Sequence, residues 1–165
     1  VGCTRQALVR RFGTKDLMVL AYLDALLAIM QSEFAAFAQS PGAPLETLRE
    51  RYTLPLDQRI DMSADPRVEA NLLAFALTAS ANPIFADRIA TLIDANIAMF
   101  QVLLDRAVAA GELRSHATRS IAACLHSTWI GEIVHWCLEP GISFQQRLAH
   151  AFELIVSPHY ATGDR

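Results

Sequence analysis

VGCTRQALVRRFGTKDLMVLAYLD, residues 1–24, decides how this sequence is read. Two helices lie in it end to end. Thr4 stands at the N-cap of a short one that runs to about Arg11, and Gly13 stops it in the C′ position. Thr14 caps the next, with Asp16 in its first turn, where the helix dipole favours an acid. A Gly turn, a capped short helix and a second capped helix directly behind it read as the second half of a helix-turn-helix with its supporting helix. A short helix of this kind enters a major groove and places side chains of its N-terminal half on base edges. Arg5 and Gln6 lie at that end, and both residue types can make paired hydrogen bonds to bases. Thr4 and Thr14 can offer hydroxyls and N-terminal amides to phosphates, and Arg10, Arg11 and Lys15 can neutralise them. Ala7, Leu8 and Phe12 are left to pack the short helix on its neighbours.

The charge distribution agrees. Residues 1–15 carry four basic groups and no acid, whereas residues 16–165 carry 10 basic and 17 acidic groups. A basic tip on an acidic body restricts contact with a polyanion to the tip. The 165 residues fit one or at most two domains, and 53% hydrophobic residues supply a large core with some apolar surface to spare. Three cysteines, Cys3, Cys124 and Cys137, make no disulfide framework and read as reduced thiols of a cytoplasmic protein. No signal peptide is recognisable, and the longest apolar stretches are interrupted by charged residues, so no membrane span is expected. The sequence starts inside the motif without an initiator Met, so the preceding helices are expected to lie outside it.

Helical periodicity dominates the remainder, and the expected fold class is all-α. The helix capped by Thr14 runs to about Gln39, about 40 Å at 1.5 Å per residue, and stops at Ser40-Pro41-Gly42. A weaker helix spans roughly Pro44 to Tyr52, and residues 54–65 read as loop. Asp65-Pro66 and Asn82-Pro83 are N-cap and N1 pairs opening helices to about Ser80 and Ala110, the latter ended by Gly111. Ser115 or His116 opens a helix to Leu138 that is apolar nearly all round, and a last helix spans about Phe144 to Val156. Residues 159–165 are expected to form a flexible tail.

Residues 1–24 resemble the DNA-binding end of the TetR family of transcriptional regulators. The resemblance rests on Gly2, Thr4, Leu8, Val9, Phe12, Gly13, Thr14, Lys15, Asp16 and Leu17, and AVAAGELR at 107–114 resembles a stretch many members carry between their two longest C-terminal helices. Val9 departs from the pattern, since it stands where the family has a phosphate-bonding Tyr. The resemblance implies a partial helix-turn-helix at 1–24, a ligand-binding and dimerisation domain at 25–158, and a repressor released from its double-stranded DNA operator by a small-molecule effector. It also implies an effector pocket between residues 65 and 138 with the 14–39 helix as one wall. Phe75, Asn96, Phe100, His126 and Trp129 are its candidate lining, as an apolar cavity with a few polar groups suits a small ligand. A homodimer is expected through the last two helices as a four-helix bundle, with Ala122, Leu125, Trp129, Leu148 and Phe152 at the interface.

Other chemistry finds little support. Cys124, His126, His135 and Cys137 suggest a metal, but residues two apart on a helix point about 200° apart, and Cys124 and His135 lie about 16 Å apart along the axis. Glu132 and His135 form an i, i+3 pair, without a nucleophile or a Gly-rich phosphate loop beside it. No metal, cofactor or catalytic residue is therefore assigned. The alternatives are a dimeric helical interaction module that does not bind DNA and a small helical enzyme.

Overall fold

The structure, a computed structural model, describes residues 4–54, 65–114, 117–139 and 141–161, and of Arg5 the backbone only. The expected loop at 54–65 and the helix start at Ser115 or His116 fall mostly outside the described residues. Among the described residues the fold is all-helical: α1 (Arg5–Phe12), α2 (Lys15–Ala38), α3 (Pro44–Tyr52), α4 (Pro66–Ser80), α5 (Pro83–Ala109), α6 (Thr118–Leu138), α7 (Phe144–Val156) and a 3-10 turn (Ser157–His159).

Local chemistry sets the ends. Thr4 Oγ1 accepts the Ala7 N–H and Thr14 Oγ1 the Leu17 N–H, both at 3.2 Å. Gly13 turns the chain between them at φ 79°, in the left-handed region that glycine adopts without strain. Asp65 and Asn82 cap α4 and α5 from their side chains, with Pro66 and Pro83 in the first turn. Gly111, at φ 75°, ends α5 in a Schellman arrangement: its own N–H donates to Val108 O at 3.0 Å and that of Glu112 to Ala107 O at 2.9 Å.

Two apolar clusters hold the helices. The larger joins α3, α5, α6 and α7, with Leu48, Leu103, Leu104, Leu125, Leu148 and Phe152 at its centre. Tyr52 is its polar member. Its ring meets Phe100 at 5.7 Å and Phe152 at 5.8 Å, and its hydroxyl donates to Leu125 O at 3.0 Å, which satisfies a fully buried O–H. The smaller cluster joins Val19 and Leu23 of α2, Ala79 of α4, and Phe85 and Leu92 of α5.

α2 belongs mainly to the smaller cluster, and Val19 and Leu23 are its buried residues. By length and composition alone this helix is apolar enough to cross a membrane, although Asp24 and Glu33 interrupt it. Here it packs along α5 and is pinned to the body by polar contacts. Asp24 pairs with Arg88 at 2.8 Å and Glu33 with Arg51 at 2.6 Å. Arg106 of α5 closes its C-terminus by donating to the carbonyls of Phe37, Ala38 and Ser40 at 3.3, 3.0 and 2.9 Å.

The tail expectation is corrected for residues 159–161. Tyr160 forms an antiparallel bridge with Leu113, Arg114 N–H donates to His159 O at 3.0 Å, and Ala161 N–H to Glu112 O at 2.9 Å. The Arg114 guanidinium also donates to Tyr160 O at 3.2 Å and Pro158 O at 2.8 Å. Residues 162–165 lie outside the described residues.

Candidate functional site

Three regions concern function. The first is the tip. α1 packs on α2, and its Gln6, Arg10 and Arg11 are exposed, as are Thr14 and Lys15 at the start of α2. The Arg11 guanidinium lies 5.5 Å from the centre of the Phe12 ring. Thr4 and Thr14 are engaged as caps. Val9 is exposed beside the arginines, in a place where an apolar side chain has nothing to bond. The side chain of Arg5 is outside the described residues. The tip is therefore a short helix with cations on its surface, held at one end of a long helix.

The second region is a cleft where the two clusters meet. α2 passes from the smaller cluster, at Met30, to the larger, at Phe34, and α5 does the same between Leu92 and Met99. Packing along this seam leaves a cavity of about 30 Å³ lined by Met30, Glu33, Phe34, Arg51, Asn96 and Met99. That volume holds a water or two rather than a large ligand. Its polar groups come from three helices. Arg51 of α3 is 9% exposed, bonds Glu33 of α2, and lies 5.3 Å from the Phe37 ring centre. Asn96 of α5 donates to Leu92 O at 3.1 Å and weakly to Met30 Sδ at 3.8 Å.

Of the expected pocket residues, only Asn96 lines this cleft. Phe100 is in the core against Tyr52. Trp129 is half-buried and meets Phe144 edge-on at 5.9 Å. Phe75 is 37% exposed and continues a stripe with Val68 and Leu72 at i, i+4, i+7 spacing on α4. His126 is half-buried, and burial pushes its imidazole below the usual histidine value. The other four do not line the cleft. Arg51 and Glu33, which the sequence reading passed over, supply the cleft's charge.

The third region is the outer side of α6 and α7. Here the interface expectation is corrected. Ala122, Leu125, Leu148 and Phe152 are buried in the core of a single chain, so none has surface to give a second copy. The exposed stripe of α6 is instead Cys124, Ser127, Val134, His135 and Leu138, with Gly131 at its middle. Among the described residues a Cβ added at Gly131 would meet nothing within 4 Å, so none of them requires a glycine there.

The Cys and His residues of α6 sit in different surroundings. Cys124 is exposed, whereas the Cys137 thiol donates to Pro66 O at 3.2 Å and is pushed up by burial and by the Glu69 carboxylate. Glu132 is 3.7 Å from Arg147 of α7, an ion pair that replaces the expected pairing with His135. Among the described residues no three His, Cys, Asp or Glu side chains group as ligands. Comparison with known families, curated proteins and solved structures finds no match for this chain.

Proposed function

We propose that this chain belongs to a TetR-like, ligand-responsive transcriptional regulator, a homodimer that leaves its DNA operator when a small molecule binds. One observation carries the reading: a single helix, α2, connects the exposed basic tip to the seam cleft. At about 1.5 Å per residue its 24 residues span about 36 Å, so a small tilt at the cleft moves the tip by several ångströms. In a dimer, the two tips must match successive major grooves about 34 Å apart, and a ligand that favours another spacing favours release. The second copy would sit on the outer stripe of α6, where Gly131 allows close helix approach, together with α7.

The test is operator selection from random DNA with the natural protein, followed by binding at several salt concentrations. The expected result is one enriched sequence whose affinity falls steeply with salt. Arg10→Ala and Arg11→Ala each reduce the salt slope by about 1 if each arginine contacts a phosphate. Exposed Val9, Leu17 and Tyr22 beside the cations favour a second reading, a protein-interaction module. Equal affinity for all DNA sequences with no salt slope would select that reading.

A further inference from the structure

We propose that the seam cleft binds a compact carboxylate with an apolar body, and that this anion takes the place of Glu33 on Arg51. The inference rests on reading the cleft as the effector site, and it deepens that reading to a ligand class. The decision between anion and cation comes from burial. Arg51 is 9% exposed and Glu33 25%, so the guanidinium is the fixed member of the pair and the carboxylate is the member that solvent reaches. Arginine does not lose its proton in proteins. A cation drawn to Glu33 would either strand the Arg51 charge in the interior or set two cations side by side, and both are heavily unfavourable. A ligand carboxylate exchanges like for like, and Arg51 keeps an anionic partner throughout. The remaining lining chooses the rest of the ligand. Phe34, Met30 and Met99 present apolar walls beside the polar Gln31 and Asn96, and unbranched methionines re-pack around an entering group, which the resting cavity of about 30 Å³ requires. The exchange also has a mechanical result. Glu33 belongs to α2 and Arg51 to α3, so their 2.6 Å bond ties the helix that carries the tip to the body. An anion on Arg51 releases that tie.

The experiment titrates the chain with matched probes: benzoate and hexanoate, the neutral benzamide and hexanamide, and the cationic benzylamine and hexylamine. Affinity is read by calorimetry and location by the methyl resonances of the methionines. The carboxylates are expected to bind and to shift Met30 and Met99, which line the cleft, more than Met18, which does not. Glu33→Gln keeps the shape and removes the internal competitor, so carboxylates should bind about tenfold tighter, which is about 1.4 kcal/mol. Arg51→Met should abolish that binding. If Arg51→Met does not fold, the gain in Glu33→Gln decides alone. Binding of amides or amines as tight as that of the carboxylates, no carboxylate binding at millimolar concentration, or no gain in Glu33→Gln overturns the proposal. The assay contains no DNA, so its failure is distinct from that of the regulator reading. A carboxylate seated at Met30 and Met99 that leaves DNA binding untouched would sink the regulator and keep the site. An operator released by an amine would do the reverse.

Discussion

Arg106→Ala removes one guanidinium and exposes the whole C-terminal end of α2. Its Nη1 serves Phe37 O at 3.3 Å and Ala38 O at 3.0 Å, and its Nη2 serves Ser40 O at 2.9 Å. Hydrogen bonds to a charged group contribute about 1.5–3 kcal/mol each, but here one nitrogen is shared and water reaches the freed carbonyls in the variant, so the three do not add. Counting one such bond plus about 0.3–1 kcal/mol for a cation at a helix C-terminus gives a loss of about 2–4 kcal/mol. At about 2–4 °C per kcal/mol for a chain of this size, Tm falls by about 4–16 °C. Urea denaturation followed by circular dichroism measures it, at fixed protein concentration because self-association adds to apparent stability. Arg106→Lys keeps the charge but not the fork and should fall between parent and Ala. An Arg106→Ala variant within about 0.5 kcal/mol of the parent would show that the end of α2 is held by apolar packing alone.

Glu112 accepts the Leu45 N–H at 2.9 Å and so caps α3, whose own N-cap residue, Ala43, has no group to do it. Glu112→Ala should cost about 1 kcal/mol and Glu112→Gln much less, read from urea midpoints. Gly131→Ala should stabilise α6 by about 0.5–1 kcal/mol yet weaken self-association in sedimentation, and a variant that dimerises as well as the parent would remove Gly131 from the interface. Burial lowers the His126 value in the folded chain below the ordinary 6.5, so the unfolded chain takes up the proton first. Stability contributed by His126 is therefore full above about pH 6.5 and is lost as pH falls towards the folded value. His126→Gln should flatten that part of the stability profile, and an unchanged slope would refute the assignment.

What could be read from the sequence is what neighbours in sequence determine. Thr4, Thr14, Asp65 and Asn82 each act on an amide two or three residues ahead, and Gly13 and Gly111 act on their own backbone, so those boundaries followed from spacing. α3 was bounded correctly because Pro44 starts it. The inward face of α6 was not legible. A helix apolar in nearly every direction has no period to point inwards, and so Ala122 and Leu125 were assigned to a partner when α5 and α7 already cover them. The cleft was hidden for another reason. Arg51 and Glu33 are 18 residues apart, and Arg106 and Phe37 are 69 apart, so charge pairs that look like solvated surface in sequence meet only after the helices pack. DNA reading stays an inference from residues 1–24, with the tip's exposed cations in its support.

The corner where the α5–α6 turn meets the C-terminal residues has a consequence for synthesis. Arg114 bonds carbonyls 44 and 46 residues further along, and the backbone of Glu112 waits for Ala161. A nascent chain that ends at Val156 already holds the sequence of all seven helices described here, yet this corner has no partner. At about 5–20 residues per second, the interval between Arg114 and Tyr160 is about 2–9 s. For that time Glu112, and through it the start of α3, depends on a turn fastened from one side only. Residues 157–161 therefore close this corner, and a protease cut just before Tyr160 would leave the seven helices described here with the corner open.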